Sequence, residues 1–182
     1  SSRYIYDMGF NDPDVTANRT ITGEGTASIV DNASANNMLK LEGEVAVTTA
    51  LTNLKPGQKY AAYIGVDNRS DAKAYMTVKA GDEILGNNYT ERSFAYNLVS
   101  SDQHHTGSGA TLAKGDTSSY FQNMYVFFTA PESGDVTLTL SREAGEGATY
   151  FDDVRVVETK MDVVKATDEN GIITSLKNDF ED

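Results

Sequence analysis

Tyr150-Phe151-Asp152-Asp153-Val154-Arg155-Val156-Val157, at residues 150–157, alternates between apolar and polar side chains. Successive side chains of a β-strand point to opposite sides of a sheet, so the alternation predicts a half-buried strand. Simple alternation puts Asp152 on the same side as Val154 and Val156, with its carboxylate directed toward the edge of the core. Because an unpaired charge is costly there, Asp152 needs a partner, either a cation or backbone amides.

The same alternation recurs along most of the chain. Apolar residues occupy every second position in short runs that Gly, Asn, Asp or Pro clusters separate, which is typical of antiparallel strands. The predicted strands are Arg3–Met8, Ile21–Thr26, Ser28–Val30, Met38–Glu42, Val45–Leu51, Lys59–Asp67, Ala74–Lys79, Phe94–Val99, Phe121–Thr129, Val136–Ser141 and Tyr150–Glu158. About ten short strands in one domain predict an all-β sandwich or barrel.

Parity within the predicted strands separates two faces. In residues 59–67 one face carries Tyr60, Ala62, Ile64 and Val66, and the other carries Ala61, Tyr63, Gly65 and Asp67. Residues 74–79, 123–128 and 136–141 divide in the same way. The pattern predicts an aliphatic face that forms the core and an outer face of Tyr, Thr and Asn.

Two segments are predicted to connect strands. Residues 54–60 form a turn that leads into a strand, with Pro56 setting φ at the second turn position and Gly57 free to adopt positive φ at the third. Residues 86–119 are polar and rich in glycine and contain His104 and His105. We predict a long surface excursion there, of the kind that is often functional in a rigid sandwich.

The alternating pattern stops after Glu158, which places a single β-sandwich domain at residues 1–158. Residues 159–182 are strongly charged and end in Asn178-Asp179-Phe180-Glu181-Asp182, a combination of Phe with acidic and amide groups that also occurs at residues 9–12. We interpret residues 159–182 as a linker or the start of a following module. The alternative is a C-terminal extension folded back on the surface.

The overall composition excludes several classes of partner and of site. The chain has 27 acidic and 15 basic residues, for a net charge of -12, and no cysteine. Phosphate backbones and anionic lipid surfaces are therefore repelled, and disulfides and thiolate metal sites are excluded. No apolar stretch approaches the ~20 residues of a membrane-spanning helix. We expect neither nucleic acid nor membrane insertion, and we expect any secretion signal to lie upstream of Ser1.

Four segments in a fixed order resemble a known family: residues 9–11 (Gly-Phe-Asn), 37–41 (Asn-Met-Leu-Lys-Leu), 54–60 and 151–156 (Phe-Asp-Asp-Val-Arg-Val). They resemble the galactose-binding-like jelly-roll modules of bacterial glycoside hydrolases, above all the accessory β-sandwich domains of endo-α-N-acetylgalactosaminidases. In the latter a stretch similar to residues 121–128 also precedes the closing strand. The resemblance covers about residues 3–158. It implies a jelly-roll sandwich of two antiparallel sheets.

The resemblance also implies a structural Ca²⁺ ion where the first and last strands of the family meet. Its ligands would be the carbonyl of Gly9, the side chain of Asn11, a carbonyl near Asn37, and Asp152. Many such modules have Glu at the position of Asn11, so this site loses one charge, for which Asp12 could compensate. The alternative is that Asp152 accepts hydrogen bonds from backbone amides without a metal.

Glycan binding is the usual role of the family that the sequence resembles, and it requires an aromatic platform with polar groups around it. The candidate residues are Tyr63, Tyr75 and Tyr125, which by parity share the non-core face with Asn123, and His104 and His105, which lie in the long excursion and could overhang that face. The alternative is that another module or the excursion itself covers these tyrosines.

No sequence motif indicates catalysis. His104 and His105 are adjacent and would diverge on a strand, and no HExxH, Gly-x-Ser-x-Gly, phosphate loop or cysteine-based motif is present. We predict a monomeric, non-catalytic module of a secreted or cell-surface bacterial glycoside hydrolase that acts on mucin-type O-glycans. It would either hold glycans containing galactose or N-acetylgalactosamine near the catalytic domain or act as a structural scaffold between neighbouring modules.

Overall fold

The computed structural model describes residues 4–8, 10, 12, 14–30, 37–91, 122–160, 162–167 and 173–179. The described residues form strands and connecting turns without any helix, so none of them belongs to a helix that could span a membrane. The strands are β1 (Tyr4–Met8), β2 (Thr20–Thr22), β3 (Thr26–Val30), β4 (Met38–Glu42), β5 (Val45–Leu51), β6 (Lys59–Asn68), β7 (Ala74–Ala80), β8 (Glu83–Thr90), β9 (Gln122–Thr129), β10 (Val136–Arg142), β11 (Ala148–Glu158), β12 (Asp162–Thr167) and β13 (Ile173–Asp179).

Eleven of these strands form two antiparallel sheets. The six-stranded sheet has the order β3-β4-β11-β6-β9, with β1 also paired to β11. The five-stranded sheet has the order β2-β5-β10-β7-β8. The first strand of the chain thus pairs with the last strand of the sandwich, in a register that sets Met8 opposite Val154. The all-β sandwich of two antiparallel sheets is confirmed.

The core lies between the two sheets and consists of the side chains that parity assigned to it. Buried residues from both sheets form one cluster, which includes Tyr60, Ala62, Ile64 and Val66 of β6, Ala74, Met76 and Val78 of β7, Met124, Val126 and Phe128 of β9, and Val136, Leu138 and Leu140 of β10. Alternation therefore predicts the inner side chains of these four strands, because the facing sheet shields each of them from water.

A β-bulge makes one prediction from parity wrong. Asp152 pairs with Gly65, but Arg155 pairs with Tyr63. Between these two pairs β11 advances by three residues while β6 advances by two. The extra residue reverses the alternation. Phe151 and Val154 both belong to the core cluster, whereas Asp152 shares its row with Gly65 on the outer side of the sheet. Asp152 therefore does not lie on the same face as Val154.

The turn before β6 forms as predicted. Gly57 has φ of 80°, and the amide of Gln58 donates to the carbonyl of Lys55 at 3.0 Å, which closes a turn with Pro56 and Gly57 at its centre. Such positive φ at the third turn position favours glycine. The amide of Leu54 donates to the carbonyl of Gly134 at 2.9 Å, so the turn is also tied to the loop between β9 and β10.

Strand β8 contradicts the prediction of a continuous surface excursion from residue 86. Residues 86–90 belong to β8, which pairs with β7 along its whole length. The side-chain amide of Asn88 donates to the carbonyl of Tyr125 in β9 at 2.9 Å. A Cβ at Gly86 would lie 2.5 Å from Cγ1 of Val126. A glycine at this position thus lets β8 approach β9 and close one side of the sandwich.

The C-terminal segment contains secondary structure that the sequence did not predict. Strands β12 and β13 pair with each other as an antiparallel hairpin, and β13 lies near β8. The hairpin starts four residues after Glu158, where β11 ends. The boundary at residue 158, and the interpretation of residues 159–182 as a linker or following module, stay predictions. The predicted strand at residues 94–99 lies outside the described residues.

Candidate functional site

The outer side of the six-stranded sheet carries a row of aromatic residues, which we call the tyrosine face (Tyr63, Tyr125, Phe127 and Arg155). Tyr63 of β6 pairs with Tyr125 of β9 on one side and with Arg155 of β11 on the other. Phe127 follows two residues after Tyr125 and therefore points to the same side. Three neighbouring strands of the sheet, β11, β6 and the edge strand β9, thus place these side chains together.

The rings of the tyrosine face stack on one another. The ring centroids of Tyr63 and Tyr125 are 5.5 Å apart with an interplanar angle of 28°, and those of Tyr125 and Phe127 are 6.4 Å apart with an angle of 12°. The guanidinium of Arg155 lies 4.2 Å from the ring centroid of Tyr63 on β6. Tyr125 is 39% exposed, whereas Phe127 is buried. The stack therefore presents Tyr125 to solvent on a rigid aromatic base.

Polar groups gather at the end of the tyrosine face next to Gly65. Gly65 lies between Asp152 of β11 and Asn123 of β9 in one row, and Asp67 follows on the same side of β6. Asp67 and Asp152 are 0% and 1% exposed, and Arg69 contacts Asp67 at 3.4 Å. Oδ1 of Asn123 is a buried acceptor with no hydrogen bond to another described residue. Carboxylate, amide and guanidinium groups therefore lie within one or two rows of the exposed Tyr125 ring.

Tyr75 does not belong to the tyrosine face. It lies on β7 in the five-stranded sheet, where its hydroxyl donates to a carboxylate oxygen of Glu143 at 2.6 Å. The prediction that Tyr63, Tyr75 and Tyr125 share one face is wrong for Tyr75, because parity assigns a side chain to the outside but not to a sheet. His104 and His105 lie outside the described residues.

Two of the four predicted calcium ligands, Gly9 and Asn11, lie outside the described residues. The topology nevertheless brings the relevant segments together. Strand β1 pairs with β11 up to Val154 and β4 pairs with it up to Phe151, on the same edge, so Asp152 lies where these two neighbours meet. Asn37 directly precedes β4 and is half-buried. A buried carboxylate beside the ends of two strands fits a Ca²⁺ site in its donor chemistry, since Ca²⁺ binds carboxylate and backbone carbonyl oxygens.

Acidic residues and histidines do not gather into a metal-binding cluster in the described part of the chain. No group of three or more His, Cys, Asp or Glu side chains that could hold a metal occurs there. Any calcium site among these residues would thus depend on one or two carboxylates together with backbone oxygens. Calcium remains a prediction.

A cavity of about 330 Å³ lies at the end of the sandwich where β11 ends. It is lined by Ala50, Leu51, Thr52, Asn53, Leu54, Lys55, Tyr60 and Glu158. Lys55 and Glu158 form an ion pair across its rim at 3.0 Å, and the hydrogen bond and charge of Glu158 raise the pKa of Lys55. The ring of Tyr60 is buried, so the cavity offers no aromatic surface to a sugar.

Sequence reasoning missed several members of the tyrosine face. The sequence alone identifies Arg155 only as part of the closing motif and places Phe127 on the outer side without a role. The same holds for Asp67, which lies beside the tyrosine face. The spacing of Tyr63 and Tyr125 carries no information on their contact, since 62 residues of chain separate them. A signal was present in β9, where Asn123, Tyr125 and Phe127 alternate with three core residues.

Comparison with known proteins identifies the family. A model of domain 5 of endo-α-N-acetylgalactosaminidases matches residues 5–151. Solved carbohydrate-binding modules have a similar fold. TmCBM61, solved in complex with β-1,4-galactotriose, is 12% identical with a TM-score of 0.57, and the match covers 83% of this chain and 94% of that one.

Two family 22 carbohydrate-binding modules show the same likeness. The C-terminal module of Clostridium thermocellum Xyn10B is 11% identical with a TM-score of 0.56, covering 88% of this chain and 97% of that one. The xylan-binding CBM22-1 of Paenibacillus barcinonensis Xyn10C is 13% identical with a TM-score of 0.54, covering 86% and 95%. These likenesses establish the fold, and the family model establishes membership. The chain belongs to the domain 5 family of endo-α-N-acetylgalactosaminidases.

Proposed function

We propose that this domain binds carbohydrate on the tyrosine face and that it is a non-catalytic accessory module of a glycoside hydrolase acting on mucin-type O-glycans. The observation that carries the proposal is the exposed ring of Tyr125, held in a stack between Tyr63 and Phe127. The family, and a fold shared with carbohydrate-binding modules, support it.

The chemistry of the face suits a sugar. A hexose presents a patch of C–H groups on one face of its ring and hydroxyls around its edge, so it binds best to an aromatic ring with polar groups beside it. Tyr125 supplies the ring, and Asn123 is two residues away on the same side of β9. The stacking of Tyr125 on Phe127 reduces the side-chain entropy that is lost when a ligand binds, because the ring is already ordered.

The proposed ligands are glycans that contain galactose or N-acetylgalactosamine, which is the substrate class that the family name implies for the parent enzyme. The parent is proposed to be a secreted or cell-surface bacterial protein. A module that holds such a glycan raises its effective concentration at a neighbouring catalytic domain, to about millimolar for short flexible linkers. Neighbouring modules of the same polypeptide are thus the second class of partner.

The test is a titration of the ¹⁵N-labelled chain with N-acetylgalactosamine and with β-1,4-galactotriose, followed by NMR chemical shifts. We expect shifts of the amides around Tyr63, Gly65 and Tyr125, and the variant Tyr125→Ala should weaken binding by about tenfold or more. The matched control is Ile84→Ala, which removes another exposed apolar side chain, 41% exposed, from the other sheet.

The alternative is a structural scaffold without glycan binding of its own. It predicts that no galactosyl ligand changes the NMR chemical shifts, either of the wild type or of Tyr125→Ala. That outcome, with the variants folded by circular dichroism, would refute binding on the tyrosine face.

A further inference from the structure

A second pair of aromatic residues lies on the outer side of the five-stranded sheet. Tyr75 of β7 pairs with Tyr89 of β8, with ring centroids 5.9 Å apart and an angle of 43° between the rings. Both side chains are half-buried. The ammonium of Lys73 lies 4.6 Å from the ring centroid of Tyr89. Since the two sheets pack about 10 Å apart with the core between them, this pair and the tyrosine face point in opposite directions.

A carboxylate is fixed beside the Tyr75 ring. Oε2 of Glu143 accepts the hydroxyl hydrogen of Tyr75 at 2.6 Å, and the backbone amide of Glu143 donates to the carbonyl of Lys73 at 3.1 Å. The buried guanidinium of Arg142 donates to the carbonyls of Glu143, Gly145 and Gly147 at 3.1, 2.6 and 2.6 Å. The buried guanidinium of Arg142 therefore holds the loop that carries Glu143 in place.

Residues with small side chains are the neighbours of Tyr75 across the sheet. Ser141 of β10 is the neighbour of Tyr75 on the side away from Tyr89, and Ala46 of β5 is the neighbour of Ser141. The adjacent row across the sheet is Thr20, Thr48, Thr139, Thr77 and Asn87, with hydrogen bonds Thr48–Thr139 at 2.9 Å and Thr77–Asn87 at 2.8 Å. The outer side of this sheet therefore carries small and hydroxyl-bearing residues beside the rings of Tyr75 and Tyr89.

We propose that Lys73, Tyr75, Tyr89, Ser141 and Glu143 form a second carbohydrate-binding site, the Tyr75 site, on the sheet opposite the tyrosine face. The class of ligand rests on the proposed function. The C–H face of a hexose packs against the Tyr75 and Tyr89 rings. Its hydroxyls donate to the carboxylate of Glu143, whose oxygens can accept further hydrogen bonds beside the one from Tyr75.

The charges of the Tyr75 site favour a neutral sugar. Lys73 and Glu143 carry opposite charges, so the site as a whole is close to neutral. The chain carries a net charge of -12, which repels an anionic glycan at long range. A neutral galactosyl or N-acetylgalactosaminyl glycan is not repelled by this charge.

Two sites on opposite sides make the module bivalent. A mono- or trisaccharide is too short to reach both sites, so each site binds its own ligand. On a surface with many glycans, the two sites engage separate chains, and the second binding event is intramolecular. We therefore expect stronger retention on a mucin matrix than either site alone produces.

The experiment is the same NMR titration of the whole chain with N-acetylgalactosamine and β-1,4-galactotriose, read at both sites. We expect two separate groups of shifting amides, one around Tyr63 and Tyr125 and one around Tyr75 and Ser141, each with its own saturation curve. Tyr75→Ala should weaken only the second by about tenfold or more, and Tyr125→Ala only the first. Ile84→Ala lies on the same sheet as Tyr75 and should change neither.

The outcomes separate the two proposals. Shifts confined to the tyrosine face, with Tyr75→Ala indistinguishable from the wild type, would overturn the Tyr75 site and leave the proposed function standing. Shifts confined to residues near Tyr75 would support the site and refute the tyrosine face. An absence of shifts in both groups would refute both. Retention on a mucin matrix that drops in both single variants, and further in the double variant, would support bivalency.

Discussion

Replacing Arg142 with methionine tests how the loop between β10 and β11 is held. Arg142 is 2% exposed at the end of β10, and its guanidinium contacts three loop carbonyls, two of them at 2.6 Å. A fourth carbonyl, that of Leu41, lies at 3.5 Å. Burial lowers the pKa of Arg142, because the charged form loses part of its hydration. Methionine preserves the aliphatic stem and removes every donor.

The expected loss follows from two opposing effects. Hydrogen bonds from a charged donor contribute roughly 1.5–3 kcal/mol each, so the two short bonds alone contribute about 3–6 kcal/mol. Methionine also removes the cost of burying the charge, and the freed carbonyls of Gly145 and Gly147 lie in exposed residues that water can reach. We expect Arg142→Met to lower the free energy of unfolding by about 2–3 kcal/mol, or about 5–10 °C in Tm.

Urea unfolding followed by tyrosine fluorescence measures this change, since the chain has 10 tyrosines and no tryptophan. The control is Lys55→Met, which removes a cation from an exposed ion pair, 70% and 38% exposed, and should shift the midpoint only slightly. Arg142→Lys should fall between the wild type and Arg142→Met, because one ammonium cannot reproduce the planar fork. An Arg142→Met midpoint equal to that of Lys55→Met would refute the argument that this guanidinium holds the loop.

Three further predictions concern single positions. Gly86→Ala should destabilise the domain by about 1–3 kcal/mol, because its Cβ would lie 2.5 Å from Val126; an unchanged Tm would show that β8 can move away from β9. Thr16→Val should raise the pKa of Asp14, which hydrogen bonds from Thr16 lower below 3.8; NMR titration measures it. The stabilisation from these bonds is present above pH 3.8 and is lost as the pH falls through the lowered pKa, so the variant should lose less stability on acidification. If calcium is bound, millimolar Ca²⁺ should raise the Tm of the wild type and have little effect on Asp152→Asn, whereas equal shifts would exclude Asp152 as a ligand.

The two proposed binding surfaces depend on different parts of the fold. The tyrosine face depends on side chains of regular strands, of which β6 and β11 are paired on both sides and β9 is the edge of the sheet. The Tyr75 site depends in addition on a loop, and the loop depends on Arg142. A mutation of the buried guanidinium should therefore weaken the Tyr75 site without altering the stack of Tyr63 on Tyr125.

Local chemistry in the sequence determined the strands, their inner faces and the turn at Pro56 and Gly57. Alternation reports burial directly, because the side chains of a regular strand are constrained to opposite faces. The weakest local signal was that of β8, since Gly86, Asn87 and Asn88 have low strand propensity and their pairing with β7 and β9 outweighs it.

Only the tertiary structure decided which outer face each tyrosine occupies. Parity predicts that Tyr63, Tyr75 and Tyr125 all point outward. The pairing of β6 with β9 and of β7 with β10 decides which sheet each one lies on. No local pattern encodes this pairing, because it joins residues that are distant in sequence. The same is true of Asp152, whose side is set by a bulge visible only against its partner strand. Local periodicity thus predicts burial, whereas the assembly of a site depends on strand pairing.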